Sequence, residues 1–187
     1  HAKPSAALLK AAIINGAAFI TKPATVTDDA VGEPNFHQGF GRINLANTLP
    51  EPGNAKGHTV RFVDIGNAAP EALDSKKPAK SSWKKQIQVQ AGLPLRITVC
   101  WTDNPHHGLQ NHLDLMVQPP TGPFIMGNDH MKRAGWAKSD RFNNVERVVV
   151  EKPAAGTWTI IVNASNTPYP TQGFSLVATG KGLSDFL

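Results

Sequence analysis

A single cysteine, Cys100, stands among 187 residues, so no disulfide can close within the chain and no cysteine-rich zinc site can form. That scarcity leaves the redox compartment open, because exported proteins also dispense with cysteine. Long apolar runs are missing too. Nothing approaches the ~18 residues that would span a bilayer, and the start, His1-Ala-Lys-Pro, lacks the basic-then-apolar layout of a signal peptide. With no initiator Met, a cut or processed N-terminus is expected. Charge is sparse at 18% of residues. Five of the 19 Lys and Arg residues behind the net +5, Lys76, Lys77, Lys80, Lys84 and Lys85, gather in a Pro/Ser-rich stretch that reads as a solvated loop. No basic stripe interleaved with aromatics supports a nucleic-acid partner. What the chain does have is 16 Gly, 15 Pro and 40% hydrophobic residues, a composition for many short elements joined by tight turns, hence a mainly β protein. The length suffices for one domain with its own core, or a small domain plus a fragment of another.

The run PSAALLKAAIINGAAF predicts a helix over 4–19, with Pro4 in the first turn and Leu8, Leu9, Ala12 and Ile13 at helical spacing, and Gly16 ending or loosening it. So little charge leaves this helix no solvent-friendly face, which implies a larger body, outside this chain, against which it packs. Residues 21–42 read as loop; Ile43, Leu45 and Ala46 in QGFGRINLANTL are expected to dock, with a brief helix following. After Pro50 the character changes. Strand-like runs recur near 58–64, 83–90, 94–102, 113–118, 123–126, 145–151, 157–164 and 173–180. Eight short strands with Gly, Pro and Asn between them point to a two-sheet sandwich of jelly-roll type. Leu95, Ile97, Val99 and Trp101 share one strand face, as do Trp158, Ile160 and Val162, which makes Trp101 and Trp158 core anchors. Trp83 and Trp136 stand in loop-like, polar surroundings and are the candidates for an exposed binding platform.

Together these segments resemble the C-terminal end of secreted subtilisin-like serine proteases. PSAALLKAAIINGA and QGFGRINLANTL are similar to the last helix and closing segment of the catalytic domain. The order LRITVCWTD, NHLDLMVQPPTG, GND, DRFNNVERVVVEKPAAGTWTIIVNASNTP, GFSLVATG resembles the sandwich of the alkaline, oxidation-resistant branch, and LDLMVQPPTG is also similar to the P domain of proprotein convertases. The match spans nearly the whole chain, with a gap over about 55–82. The resemblance implies two parts: 1–50 as a remnant of the catalytic domain, and 51–187 as a β-sandwich. It implies secretion, a catalytic domain of the same protease as partner, covalent or nicked, and protein substrates through that parent. The parental role would be to stabilise and position the catalytic domain; a substrate- or carbohydrate-binding sandwich is the alternative.

The family's G-T-S-M-A-x-P serine motif and its earlier Asp and His motifs are absent here. A triad assembled from His107, Asp114 and Ser139 would lack any activating turn around the serine, so the chain alone is expected to be inert. Oxygen donors for a hard cation stand at Asp103, Asp114, Asn128, Asp129, Asp140, Asn143 and Asn144; the resemblance implies the use of calcium, and Asp114, Asn128, Asp129, Asp140 and Asn143 are the candidate ligands. One departure counts against it: where the related pattern reads N-D-L-D, this chain has Asn111-His112-Leu113-Asp114. The other reading is that these are Asx turns. His106, His107, His112 and His130 are spaced irregularly, without the His-x-x-x-His or Cys partners of a zinc site.

Overall fold

The computed structural model describes residues 3–20, 34, 38–51, 53, 56–129 and 140–187. All eight predicted strand segments form strands: β1 (His58–Ile65), β2 (Ser82–Val89), β3 (Leu95–Cys100), β4 (His112–Gln118), β5 (Ile125–Met126), β6 (Val145–Val150), β7 (Gly156–Asn166) and β8 (Phe174–Lys181). They make two antiparallel sheets, ordered β1-β8-β3-β6 and β2-β7-β4-β5. The pairings of β1 with β8, β2 with β7, β3 with β6 and β4 with β5 are those of one long ribbon rolled over on itself, the winding of a jelly roll. The expected sandwich is present.

Side-chain alternation decides what lies between the sheets. Leu95, Ile97 and Val99 of β3, Leu113, Leu115 and Val117 of β4, and Trp158, Ile160 and Val162 of β7 all point inward and are buried. Trp101 and Trp158 are core, as expected. Each indole N–H donates to a backbone carbonyl at 2.9 Å, Asn111 O and Ala154 O, so the one polar group on each ring is satisfied.

The same alternation overturns the reading of Trp83 as a surface platform. Trp83 shares the inward phase of β2 with Ile87 and Val89, is 8% exposed, and meets Phe174 and Phe186 edge to face at centroid distances of 5.7 Å. Lys84, Gln86 and Gln88 occupy the outward phase and lend the segment its polar look. Trp136 lies outside the described residues.

The helix α1 (Ala6–Gly16) is shorter than expected, starting after Ser5, whose Oγ accepts from Leu8 N at 3.0 Å as an N-cap. It lies on the outer face of the β1-β8-β3-β6 sheet. Ala7 and Ala11, one turn apart, pack with Cys100, Val145 and Val177. Asn15, fully buried, donates to Thr179 Oγ1 at 2.9 Å and accepts from Thr98 Oγ1 at 3.1 Å. Arg147 reaches out of β6 and donates to Ile14 O at 2.8 Å and Ala17 O at 3.1 Å, at the C-terminal end of the helix, where Ile14 O also accepts from Ala17 N at 3.1 Å. The expectation that the partner of α1 lies wholly outside the chain is therefore corrected on one face. On the other face Leu9 and Ile13 remain 54% and 39% exposed.

The segment 38–49 doubles back on α1 through polar contacts, not through the Ile43 and Leu45 docking expected. Thr48 Oγ1 donates to Ala12 O at 2.8 Å and Asn47 Nδ2 to Gly16 O at 3.0 Å, whereas Ile43 and Leu45 are exposed. The brief helix is there, a 3-10 turn over Leu45–Asn47. Gly16 is required at the crossing, because a Cβ would collide with Asn44 O and Thr48 Oγ1. Among the described residues no helix is long and apolar enough to cross a membrane.

Candidate functional site

The polar corner of the sandwich forms because β5 is too short to cover its neighbour. β5 pairs with β4 only at Met116–Met126 and Val117–Ile125. Beyond it the chain crosses between sheets: Gly127 N donates to Leu115 O of β4 at 2.8 Å, and Asn128 N donates to Arg147 O of β6 at 3.0 Å. Asn128 returns the bond, its Oδ1 accepting from Arg147 N at 3.0 Å, and it takes φ 52°, a left-handed conformation that Asn tolerates.

Glu146, on the inward phase of β6 with Val148, closes this corner. Its Oε2 accepts from Leu115 N at 2.6 Å, standing in for a strand partner that β5 does not supply. The residue is 1% exposed, and among the described residues its Oε1 has no hydrogen-bond partner. Burial, against the pull of the Leu115 N–H and with the help of Asp114 and Asp140, holds its carboxyl well above the usual range. Gly127 passes directly over it. A Cβ there would lie 2.7 Å from Glu146 Cβ and collide with Oε2, so only glycine fits.

Beside Glu146 stand His112 and Asp114, two residues apart on β4 and so on one face. His112 Nε2 is 3.1 Å from Asp114 Oδ1. A bulge lets His112 oppose Asn166 while Leu113 opposes Ala164, leaving Ser165 as the extra residue, and Ser165 Oγ donates to Asp114 Oδ2. One ligand atom from each of His112, Asp114 and Glu146 lies within 4.8 Å of the other two. A recess of about 420 Å³ lined by Leu109, Gln110, His112, Arg141, Ser165 and Asn166 opens on the His112 side. Sequence reasoning missed Glu146. The signal was a carboxylate in phase with inward-facing valines of a strand.

The five residues of the predicted calcium set fall into separate groups. Asn128, Asp140 and Asn143 come together, but on one another. Asp140 Oδ1 accepts from Phe142 N (2.9 Å) and Asn143 N (3.3 Å), and Oδ2 from Asn128 Nδ2 (2.8 Å) and Asn143 Nδ2 (2.7 Å). Four N–H donors thus occupy that carboxylate, the arrangement of an Asx turn, and it does not fit a cation that wants six or more oxygens. Asp129 lines a different recess with Ile125, Met126 and Arg147. Asp114 belongs with His112. Asp103 clips its own loop, accepting from Gln110 N at 2.6 Å and Asn111 N at 2.8 Å. His106 and His107 face each other on an exposed loop, while His130 and Ser139 lie outside the described residues.

Ser165, Asp114 and His112 are the three residue types of a hydrolytic triad, in the wrong order. The carboxylate stands in the middle and the serine hydroxyl points at it, whereas acyl transfer needs the imidazole between them to take the serine proton. This trio does not activate a nucleophile.

No protein-family model matches the chain. Among curated proteins it is similar to the serine protease/ABC transporter B family protein tagA of Dictyostelium discoideum, 25% identical over 193 residues, which cover 96% of this chain. The chain spans 10% of that protein's length.

Proposed function

We propose that the chain is the non-catalytic C-terminal portion of a secreted subtilisin-like serine endopeptidase, and that it stabilises and positions the catalytic domain. The observation that carries this reading is the two-faced α1. Asn15 and Arg147 pin its small-residue face to the sandwich, while Leu9 and Ile13 stand exposed on the other side, and Ile43, Leu45 and Leu49 of the segment that docks on it are exposed as well. Large apolar side chains shown together to solvent mark a surface that another body covers. Covering them raises the free energy of local opening, and with it resistance to heat and self-digestion. The named likeness to a serine protease supports the same reading, and the buried Trp83 removes one of the two aromatics that a carbohydrate-binding module would use.

The test is a Leu9→Glu/Ile13→Glu pair in the longer polypeptide that carries this chain. The half-life at elevated temperature is expected to fall several-fold while kcat/KM on a short peptide stays within twofold, and the 187-residue chain by itself is expected to hydrolyse no peptide. An unchanged half-life, or peptidase activity from the isolated chain, would refute the proposal.

A further inference from the structure

We propose that His112, Asp114 and Glu146 form a binding site for a borderline divalent transition metal of the Zn²⁺ class at the corner where β4 and β6 meet. The donor set is one imidazole nitrogen and two carboxylates, brought within 4.8 Å of one another by strands of both sheets. Around a tetrahedral zinc with bonds of about 2.0–2.1 Å the ligand atoms stand roughly 3.3 Å apart, so the most widely spaced of the three would close by up to about 1.5 Å on binding.

Two observations make this more than a group of acids. Glu146 is 1% exposed and belongs to the cluster, yet its Oε1 has no hydrogen-bond partner among the described residues, and a buried carboxylate oxygen without one is costly. The third member is an imidazole, which suits zinc and its neighbours far better than calcium or magnesium, whose sites are built from oxygen alone. The surroundings are those of a held ligand set. Leu115 N–H fixes Glu146 Oε2, Ser165 Oγ fixes Asp114 Oδ2, and the absence of a side chain at Gly127 leaves the Glu146 carboxylate its place. A recess borders His112 on its outer side, lined also by Leu109, Gln110, Arg141, Ser165 and Asn166.

The test uses the whole 187-residue chain, freed of metal with a chelator and titrated calorimetrically with zinc chloride. One zinc per chain is expected, with a melting temperature that rises as zinc is added. Glu146→Gln, which keeps size and shape, and His112→Asn, near the surface, are each expected to weaken binding at least tenfold; circular dichroism identifies the variants that remain folded. Replacing His106 and His107 together by Ala is expected to leave binding unchanged, and calcium at millimolar concentration is expected not to displace zinc. Cobalt in place of zinc reports the imidazole and carboxylate donors through its visible bands. Absence of binding, zinc retained undiminished by a folded His112→Asn chain, binding lost with His106 and His107, or displacement by calcium would each overturn the site.

Discussion

Replacing Asn15 by Ala is expected to loosen α1 from the sandwich while leaving the sheets in place. Docking has an apolar part, from buried Ala7 and Ala11 and from Leu8, Ala12 and Ile14 packed partly buried beside them. Ala7 and Ala11 each bury little more than a methyl group, worth about 0.8 kcal/mol apiece. The Asn15 side chain does more than either alanine. It satisfies the hydroxyls of Thr98 and Thr179, both fully buried, and its removal leaves the Thr98 hydroxyl without its acceptor and the Thr179 oxygen without its donor, so the loss is about 2 kcal/mol after partial repair within the strands. Cys100 reports the event. Its thiol lies under α1 with Ala7 and Ala11, is fully buried, and has its pKa pushed up to about 12 by burial, against a small opposing effect of Lys10. A thiol reagent therefore reaches it only when α1 lifts or the whole domain unfolds. At a reagent concentration where reclosing outruns labelling, a loss of about 2 kcal/mol corresponds to a labelling rate roughly 30-fold faster in Asn15→Ala. A rate within twofold of the parent chain would show that Asn15 does not hold the helix, and the account of α1 given above would fall with it.

Two further outcomes follow from the core and from His58. Trp83→Ala removes a ring wedged between Phe174 and Phe186 and is expected to cost about 3–5 kcal/mol in urea unfolding, a loss that an exposed platform residue would not show. Burial, followed by the charge of Arg96, holds His58 below its ordinary pKa of 6.5. The unfolded chain therefore takes up that proton more readily than the folded one. The stability this supplies is present in full above the unfolded pKa and is lost as pH falls through that value towards the lower folded one. The urea midpoint is expected to drop between about pH 7.5 and about pH 5.5, and His58→Gln is expected to flatten that part of the profile.

The strands were legible because their inward residues carry the period of two without exception over the stretches that matter. Ile97 and Val99, or Ile160 and Val162, cannot be placed on solvent faces without turning the whole strand. Trp83 carried the same signal, four and six residues before Ile87 and Val89, and its misreading came from weighing the neighbouring lysines above the phase. Glu146 and Arg147 were harder. Each is a charged residue inside a valine-rich strand, and what makes room for them is tertiary: for Glu146 a neighbouring strand that stops after two residues, for Arg147 a helix end laid over the opposite face. Neither cause lies near them in the chain. The predicted calcium set is brought together only in part, for a related reason. Asp140, Asn143 and Asn128 find donors and acceptors among themselves and the nearby backbone, so local turn chemistry takes the lone pairs that a shared ion would need.

The helix shows most clearly how far local pattern and tertiary placement diverge. In a helix that served only this sandwich, the large apolar residues would face the sheet and the small ones would be free to face outward. In α1 the apolar residues are split between the faces: Ala7 and Ala11 are buried inward with Leu8 and Ile14 packed partly buried beside them, while Leu9 and Ile13 stand exposed outward. Leu9 and Ile13 are already partly covered, so burying what remains exposed would contribute about 0.5–1.5 kcal/mol each. Small residues against the sheet allow the close approach that brings Asn15 to its two threonines and the helix end to Arg147, which fixes where the helix lies. The polar pins thus set the position of the helix, and Leu9 and Ile13 are left as an exposed apolar pair on its outer face.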